Sequence, residues 1–207
     1  MSRTKIGVLI SGDGTNLQSI IDGINGGNIN GSIELIISNK RDAYGLKRGK
    51  RAGIESLFVN PLDYDNAELF NRKLIDEFQK RDIDLIVLAG YLKILSKEFI
   101  NAYSGRIINI HPSLIPSFCG KSYYGKRVHE AVIEYGCKIT GATVHFVDDN
   151  TDTGPIILQQ VVKVEEDDTV DSLQKKVLEV EHDILVEAVK LYCGNRLNID
   201  GRLVKIN

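Results

Sequence analysis

The stretch Ile6-Gly7-Val8-Leu9-Ile10-Ser11-Gly12-Asp13-Gly14-Thr15-Asn16-Leu17-Gln18-Ser19-Ile20-Ile21 passes through three patterns in succession. Ile6 to Ile10 is a short apolar, β-branched run that reads as a buried strand. Ser11 to Gly14 is a glycine-containing turn. Leu17, Ile20, Ile21 and Ile24 then fall at i, i+3, i+4 and i+7, the spacing of one helix face. The alternation continues outward. Ile33 to Ile37, Leu57 to Val59, Leu85 to Leu88, Ile107 to Ile110 and Val144 to Val147 are further strand-like runs, and Ala67, Phe70, Leu74 and Phe78 form a second helical stripe. Repeated strand, helix, strand units require a mostly parallel sheet with helices on both faces, so the expected fold is α/β, a Rossmann-like three-layer sandwich. From about Ile139 the pattern changes. Ile139 to Val147 and Ile156 to Val164 read as antiparallel strands added in the C-terminal half, followed by a long helix over roughly 170–192 that stops at Gly194 in left-handed backbone.

The 207 residues carry 26 Lys and Arg against 28 Asp and Glu, a net charge of −2 that removes the bulk electrostatic reason to expect nucleic acid or an anionic membrane as partner. A hydrophobic content of 43% supplies the core of a single domain over 1–207. Cys119, Cys137 and Cys193 show no CxxC spacing, so neither a disulfide framework nor a zinc site is expected, and a reducing cytoplasm fits. Met1 to Thr4 leads straight into the first strand without the regions of a signal peptide, and no apolar run approaches the ~20 residues that cross a bilayer. The basic run Lys40 to Arg51 and the acidic run Glu165 to Asp171 read as solvated surface. No HxxxH or HExxH spacing occurs, so no metal is expected.

In open α/β sheets ligands bind beyond the carboxyl ends of the strands, and two strand ends here carry distinctive residues. After the first strand, Gly12 and Gly14 let the backbone turn tightly beneath the unpaired amides of a helix start, which suits an anion. Thr15 and Gln18 match a capping box. Leu17 stands where a dinucleotide fingerprint needs glycine and no Gly-Lys-Ser/Thr follows, so a single phosphate fits better than a pyrophosphate. A capped turn without any ligand is the other reading.

The second strand end is Asn109-Ile110-His111-Pro112-Ser113-Leu114-Ile115-Pro116. Residues i and i+2 of an extended chain face the same way, so Asn109 and His111 project together, and Pro112 ends the strand. An amide donor beside an imidazole can stabilise an oxyanion and move a proton. A rim histidine bonded to backbone remains the alternative.

Flanked by Ala89-Gly90-Tyr91-Leu92-Lys93-Ile94-Leu95-Ser96, Thr143-Val144-His145-Phe146-Val147 and Asp152-Thr153-Gly154-Pro155-Ile156-Ile157, this segment resembles the folate-dependent formyltransferases, in order and over nearly the whole chain. Within that family, Ser11 to Gln18 and Glu181-His182 are similar to the branch that formylates the amine of glycinamide ribonucleotide in purine biosynthesis. The resemblance implies small-molecule substrates, with 10-formyltetrahydrofolate as co-substrate. It implies Asn109, His111 and Asp152 as the catalytic set, Asp152 raising the imidazole pKa, with Asp148 and Asp149 as solubilising neighbours. It assigns the phosphate to Gly12, Asp13, Gly14, Thr15 and Asn16, the ribose hydroxyls to Glu181, and Arg72 as a further phosphate candidate. Tyr91, Leu92, Lys93, Ile94, Leu95 and Val147 would shape the folate site. Residues 1–110 then form a nucleotide-binding half and 111–207 a folate-binding and catalytic half.

Glu181 also falls within the apolar stripe of Leu173, Val177, Ile184 and Ala188, which points it to a polar cleft or leaves its head at a boundary with water. Two segments depart from the commoner family pattern. Lys93 stands where arginine is usual, which gives up a two-pronged grip on a carboxylate. Ser117 to Gly125 lacks the usual second histidine and reads as a mobile or merely exposed loop. His129 and His145 read as scaffold histidines. A formyltetrahydrofolate hydrolase, which delivers water through the same rim, and a non-catalytic nucleotide-binding module are the alternatives.

Overall fold

Nine strands form one sheet in the order β3-β2-β1-β4-β5-β6-β7-β9-β8. They are β1 (Thr4–Ile10), β2 (Gly31–Ser38), β3 (Ser56–Phe58), β4 (Leu85–Leu88), β5 (Ile107–His111), β6 (Ile139–Phe146), β7 (Ile156–Lys163), β8 (Leu197–Asp200) and β9 (Leu203–Ile206). The helices are α1 (Thr15–Asn25), α2 (Tyr44–Arg51), α3 (Ala67–Gln79), α4 (Lys97–Ala102), α5 (Lys126–Glu134) and α6 (Val170–Cys193). The computed structural model describes residues 3–207. The reading that no leader precedes the first strand falls in part on Met1 and Ser2, outside the described residues.

The pairs from β3 through β5 are parallel, while β6 runs antiparallel to both β5 and β7. Successive side chains of a buried strand enter opposite layers. On β1, Val8 and Ile10 pack with Leu17 and Ile20 of α1 and with Val177 and Leu185 of α6. Leu9, between them, enters the second core with Phe70, Leu74 and Phe78 of α3 and Phe99 of α4. The sheet is therefore the middle of three layers, and each strand of the parallel half reads as a continuous apolar run because it is buried on both faces.

Local chemistry sets several boundaries differently from the sequence reading. Gly14, not Thr15, precedes α1; it adopts φ 70° and supplies no side-chain cap, while the Gln18 amide turns to Asp22. The expected capping box is absent because the turn needs a left-handed residue packed close to Gly45: a Cβ on Gly14 would lie 2.7 Å from the Gly45 Cα. At the other end of the chain, Gly194 has φ −87° and continues the helical turn; the left-handed stop falls on Asn195 at φ 53°. The basic run contains α2, whose Gly45, Leu46 and Gly49 are buried. The β8–β9 hairpin turns at Gly201-Arg202, with Gly201 at φ 60° in the first turn position.

Candidate active site

The connection direction reverses between β1 and β4, and the crevice beyond their carboxyl ends is the place such sheets offer a ligand. The loops are tied across it. Ser11 donates its amide to the Gly90 carbonyl at 3.1 Å, and its hydroxyl accepts the Leu92 amide at 2.9 Å. A cavity of about 620 Å³ opens here, lined by Gly12 to Asn16, Leu88 to Leu95, Asn109 to Pro112, Gly120 to Gly125, the Val147 to Asp152 loop and one face of α6.

Leu88, Asn109 and His145 stand side by side in the strand register. His145 Nδ1 lies 2.7 Å from the Phe146 carbonyl, which can only accept, so this nitrogen carries the hydrogen. Nε2 lies 3.1 Å from the Asn109 amide nitrogen and orients that side chain. Ile110 is buried in the opposite layer while His111, two residues beyond Asn109, is only 4% exposed at the cavity floor. His111 Nε2 donates to the Phe118 carbonyl at 2.9 Å, and Nδ1 faces Asp152 Oδ2 at 3.6 Å. Asp152 Oδ2 accepts the Gly120 amide at 2.8 Å, and Oδ1 stands 3.7 Å from His145 Nε2. The structure therefore brings Asn109, His111 and Asp152 together with His145, a residue the sequence reading set aside as scaffold. Only the antiparallel β5–β6 register reveals it.

Asp148, by contrast, is spent within its own loop, accepting from the Asn150 amide and the Thr153 hydroxyl. Asp152 sits at φ 57° in a loop held by Gly154, where a Cβ would collide with the Phe146 carbonyl. Phe118 also has a positive φ, 47°, in the segment that supplies the carbonyl to His111. Strained backbone of this kind persists where surrounding contacts hold it, and clusters at functional sites.

Burial opposes ionisation of Asp152, but His145, His111 and the Gly120 amide outweigh it and hold the carboxyl below its ordinary range. For His111 burial is the larger influence: it pulls the imidazole below its usual value although Asp152 and the Phe118 carbonyl act the other way. Asp152 thus acts on His111 in the expected, raising direction, and burial outweighs it. The 3.6 Å separation carries no hydrogen bond, and the ring is nearly dry. In the ligand-free protein Asp152 is an anion beside a neutral imidazole.

At the opposite end of the cavity, Asn16 donates its side-chain amide to Glu181 Oε2 at 2.7 Å. Burial pushes the Glu181 carboxyl up to about 7 despite that bond. Arg48 donates to the Asp13 carbonyl at 2.8 Å and so places a guanidinium against the turn, a contribution hidden in the sequence by its basic neighbours. Arg72 is not among the residues lining the cavity; Glu98 holds its exposed guanidinium at 3.1 Å. Tyr91 to Leu95 and Val147 do line it, with Leu92 and Ile94 exposed as an apolar lip.

An Asn-x-His strand end faced by a carboxylate from a later loop, beside a glycine turn at a helix start, is the arrangement expected of a formyl-group transferase. The chain belongs to the formyl transferase family, whose pattern its residues 4–189 match. It is similar to the phosphoribosylglycinamide formyltransferase of Escherichia coli, with 40% identity over 93% of this chain and 88% of that one. The chloroplastic phosphoribosylglycinamide formyltransferases of Arabidopsis thaliana and Vigna unguiculata are each 39% identical over 94% of this chain, which spans 67% and 62% of their lengths. The crystal structure of glycinamide ribonucleotide transformylase 1 from Symbiobacterium toebii superimposes with a TM-score of 0.94 at 44% identity, covering 99% of this chain and 94% of that one.

Proposed function

We propose that the chain transfers the formyl group of 10-formyltetrahydrofolate to the amine of glycinamide ribonucleotide, a step of purine biosynthesis. The observation that carries this reading is the meeting of Asn109, His111 and Asp152 in one cavity that is also lined by the turn after β1 and by the apolar lip of Leu92 and Ile94. The uncapped start of α1 supports phosphate at the turn, where Thr15 and Asn16 begin a helix with no side-chain cap. Glu181, presented by Asn16, takes the ribose hydroxyls, and Tyr91 to Leu95 with Val147 cover the folate ring.

The substrate amine arrives mostly as an ammonium, and His111 rests neutral with its Nδ1 lone pair toward an ionised Asp152. Passing one proton to that nitrogen makes the amine nucleophilic and creates an imidazolium beside the carboxylate. The amine's lone pair then forms a bond to the formyl carbon, and the carbonyl π pair moves onto oxygen. Asn109 donates to that oxyanion, whose charge exists mainly in the transition state, and the adjacent imidazolium stabilises it as a nearby positive charge. The new nitrogen loses a second proton and N10 of the folate gains one; the oxyanion pair then re-forms the carbonyl as the C–N10 bond breaks with its electrons leaving on N10, and His111 releases the proton taken in the first step to solvent. The products are a formamide and tetrahydrofolate.

The test is tetrahydrofolate release from 10-formyltetrahydrofolate with and without glycinamide ribonucleotide. Release that depends on the amine is expected. Equal release without it makes the protein a hydrolase, and ribonucleotide binding without any release makes it a binding module.

A further inference from the structure

Among the buried groups that the mechanism leaves unused, one is a titratable side chain in the cavity itself. His129, in the first turn of α5, is 1% exposed and lines the same cavity as His111. Its Nδ1 has no hydrogen-bond partner among the described residues. A buried imidazole nitrogen without a partner is costly, and folded proteins seldom keep one unless something absent from the free protein completes it. Burial, with a smaller effect from His111, pulls its pKa to about 4, so the ring stays neutral and offers one N–H and one lone pair.

The two walls of the cavity belong to different layers of the fold. Tyr91, Leu95 and Val147 pack with the α3–α4 core, whereas α5 packs against α6, the helix that carries Glu181. His129 therefore stands on the wall built by α5 and α6, close enough to His111 to feel its charge, and not among the residues that pack with the α3–α4 core. We propose that His129 is a substrate-contacting residue that hydrogen-bonds the amide or amine nitrogen of the glycinamide arm as the ribonucleotide enters the cavity. The contact rests on the proposed function and deepens it: it assigns recognition of the arm that carries the nucleophile to a residue outside the Asn109, His111 and Asp152 set.

Amine-dependent turnover by the unaltered protein tests the underlying reading separately. The contact itself is tested with His129→Phe and His129→Gln in the same assay. His129→Phe fills the site without a polar atom, so it is expected to melt at or above the unaltered protein while KM for glycinamide ribonucleotide rises roughly ten-fold, the effect of about one hydrogen bond. KM for the folate should stay unchanged, and His129→Gln should recover part of the loss. In the unaltered protein, the imidazole ¹⁵N resonances that disappear in His129→Gln should shift when the ribonucleotide alone is added, a readout that does not depend on either variant's activity. An unchanged KM in a folded His129→Phe, an equal rise in both KM values, a lowered melting temperature that His129→Gln reverses, or ring resonances unmoved by the ribonucleotide would each overturn the contact.

Discussion

The two ends of the cavity are built in different ways. The turn after β1 is contiguous: Gly12 to Asn16 is a single strand-to-helix connection, and its amides point outward because a helix begins there without a cap. The rim around His111 draws on three segments, with Asn109 and His111 from β5, His145 from β6 and Asp152 from the loop before β7. A backbone site needs only a local turn and tolerates changes elsewhere. A side-chain site held by long-range register fails when any one of its supports moves.

That contrast is tested most strongly by removing a rim donor. Asn109→Ala or His111→Ala should lower kcat/KM by roughly 10²–10³-fold, the loss typical of one oxyanion donor. Ribonucleotide affinity, measured by calorimetry, should change little; a matching loss of affinity would erase the distinction between the two ends. Next comes Gly154→Ala. The added methyl must push the Asp152 loop away from the Phe146 carbonyl, so turnover should fall by tens of fold while the distant turn still binds ribonucleotide. Intact turnover would show that the carboxylate needs no such placement.

Glu181→Gln sharpens the comparison from the other end, lowering ribonucleotide affinity about ten-fold and leaving turnover at saturation nearly unchanged. It also changes the pH dependence of stability. The Glu181 carboxyl rises from 4.5 to about 7 on folding, so the native state binds the extra proton and the contribution of this group is full below 4.5. It is lost as pH rises toward about 7. Thermal melts across that window should show a flatter slope for the variant, and an unchanged slope would mean that the carboxylate ionises in folded and unfolded chains alike. The smallest effect belongs to Arg72→Ala. An exposed pair with Glu98 contributes at most about 1 kcal/mol, and both KM values should stay where they are. A raised ribonucleotide KM would return Arg72 to the nucleotide site.

Several features were legible before any coordinates. Val8 and Leu9, entering opposite cores, make β1 a continuous apolar run, and that run already implies helices on both faces. The β8–β9 hairpin has a local signal too, Gly201 in a two-residue turn, but its strands are four residues each and carry no apolar run. The Thr15–Gln18 pair misled, because a capping box is a local preference and the packing of Gly14 against Gly45 overrode it. The direction of Arg72 was not legible: its position on α3 leaves it open, and in the folded chain the guanidinium meets Glu98.

What the sequence determined alone is whatever depends on neighbours along the chain: the order of strands and helices, the phosphate-sized turn, and the pairing of Asn109 with His111 on one face, since side-chain direction in an extended strand alternates every residue. Only the tertiary structure decided which aspartate reaches His111, that His145 orients Asn109, that His129 stands in the same cavity, and that burial outweighs Asp152 in setting the charge of His111. These depend on distances between segments far apart in the chain and on how much water is left around each ionisable group, and neither quantity is encoded in local spacing.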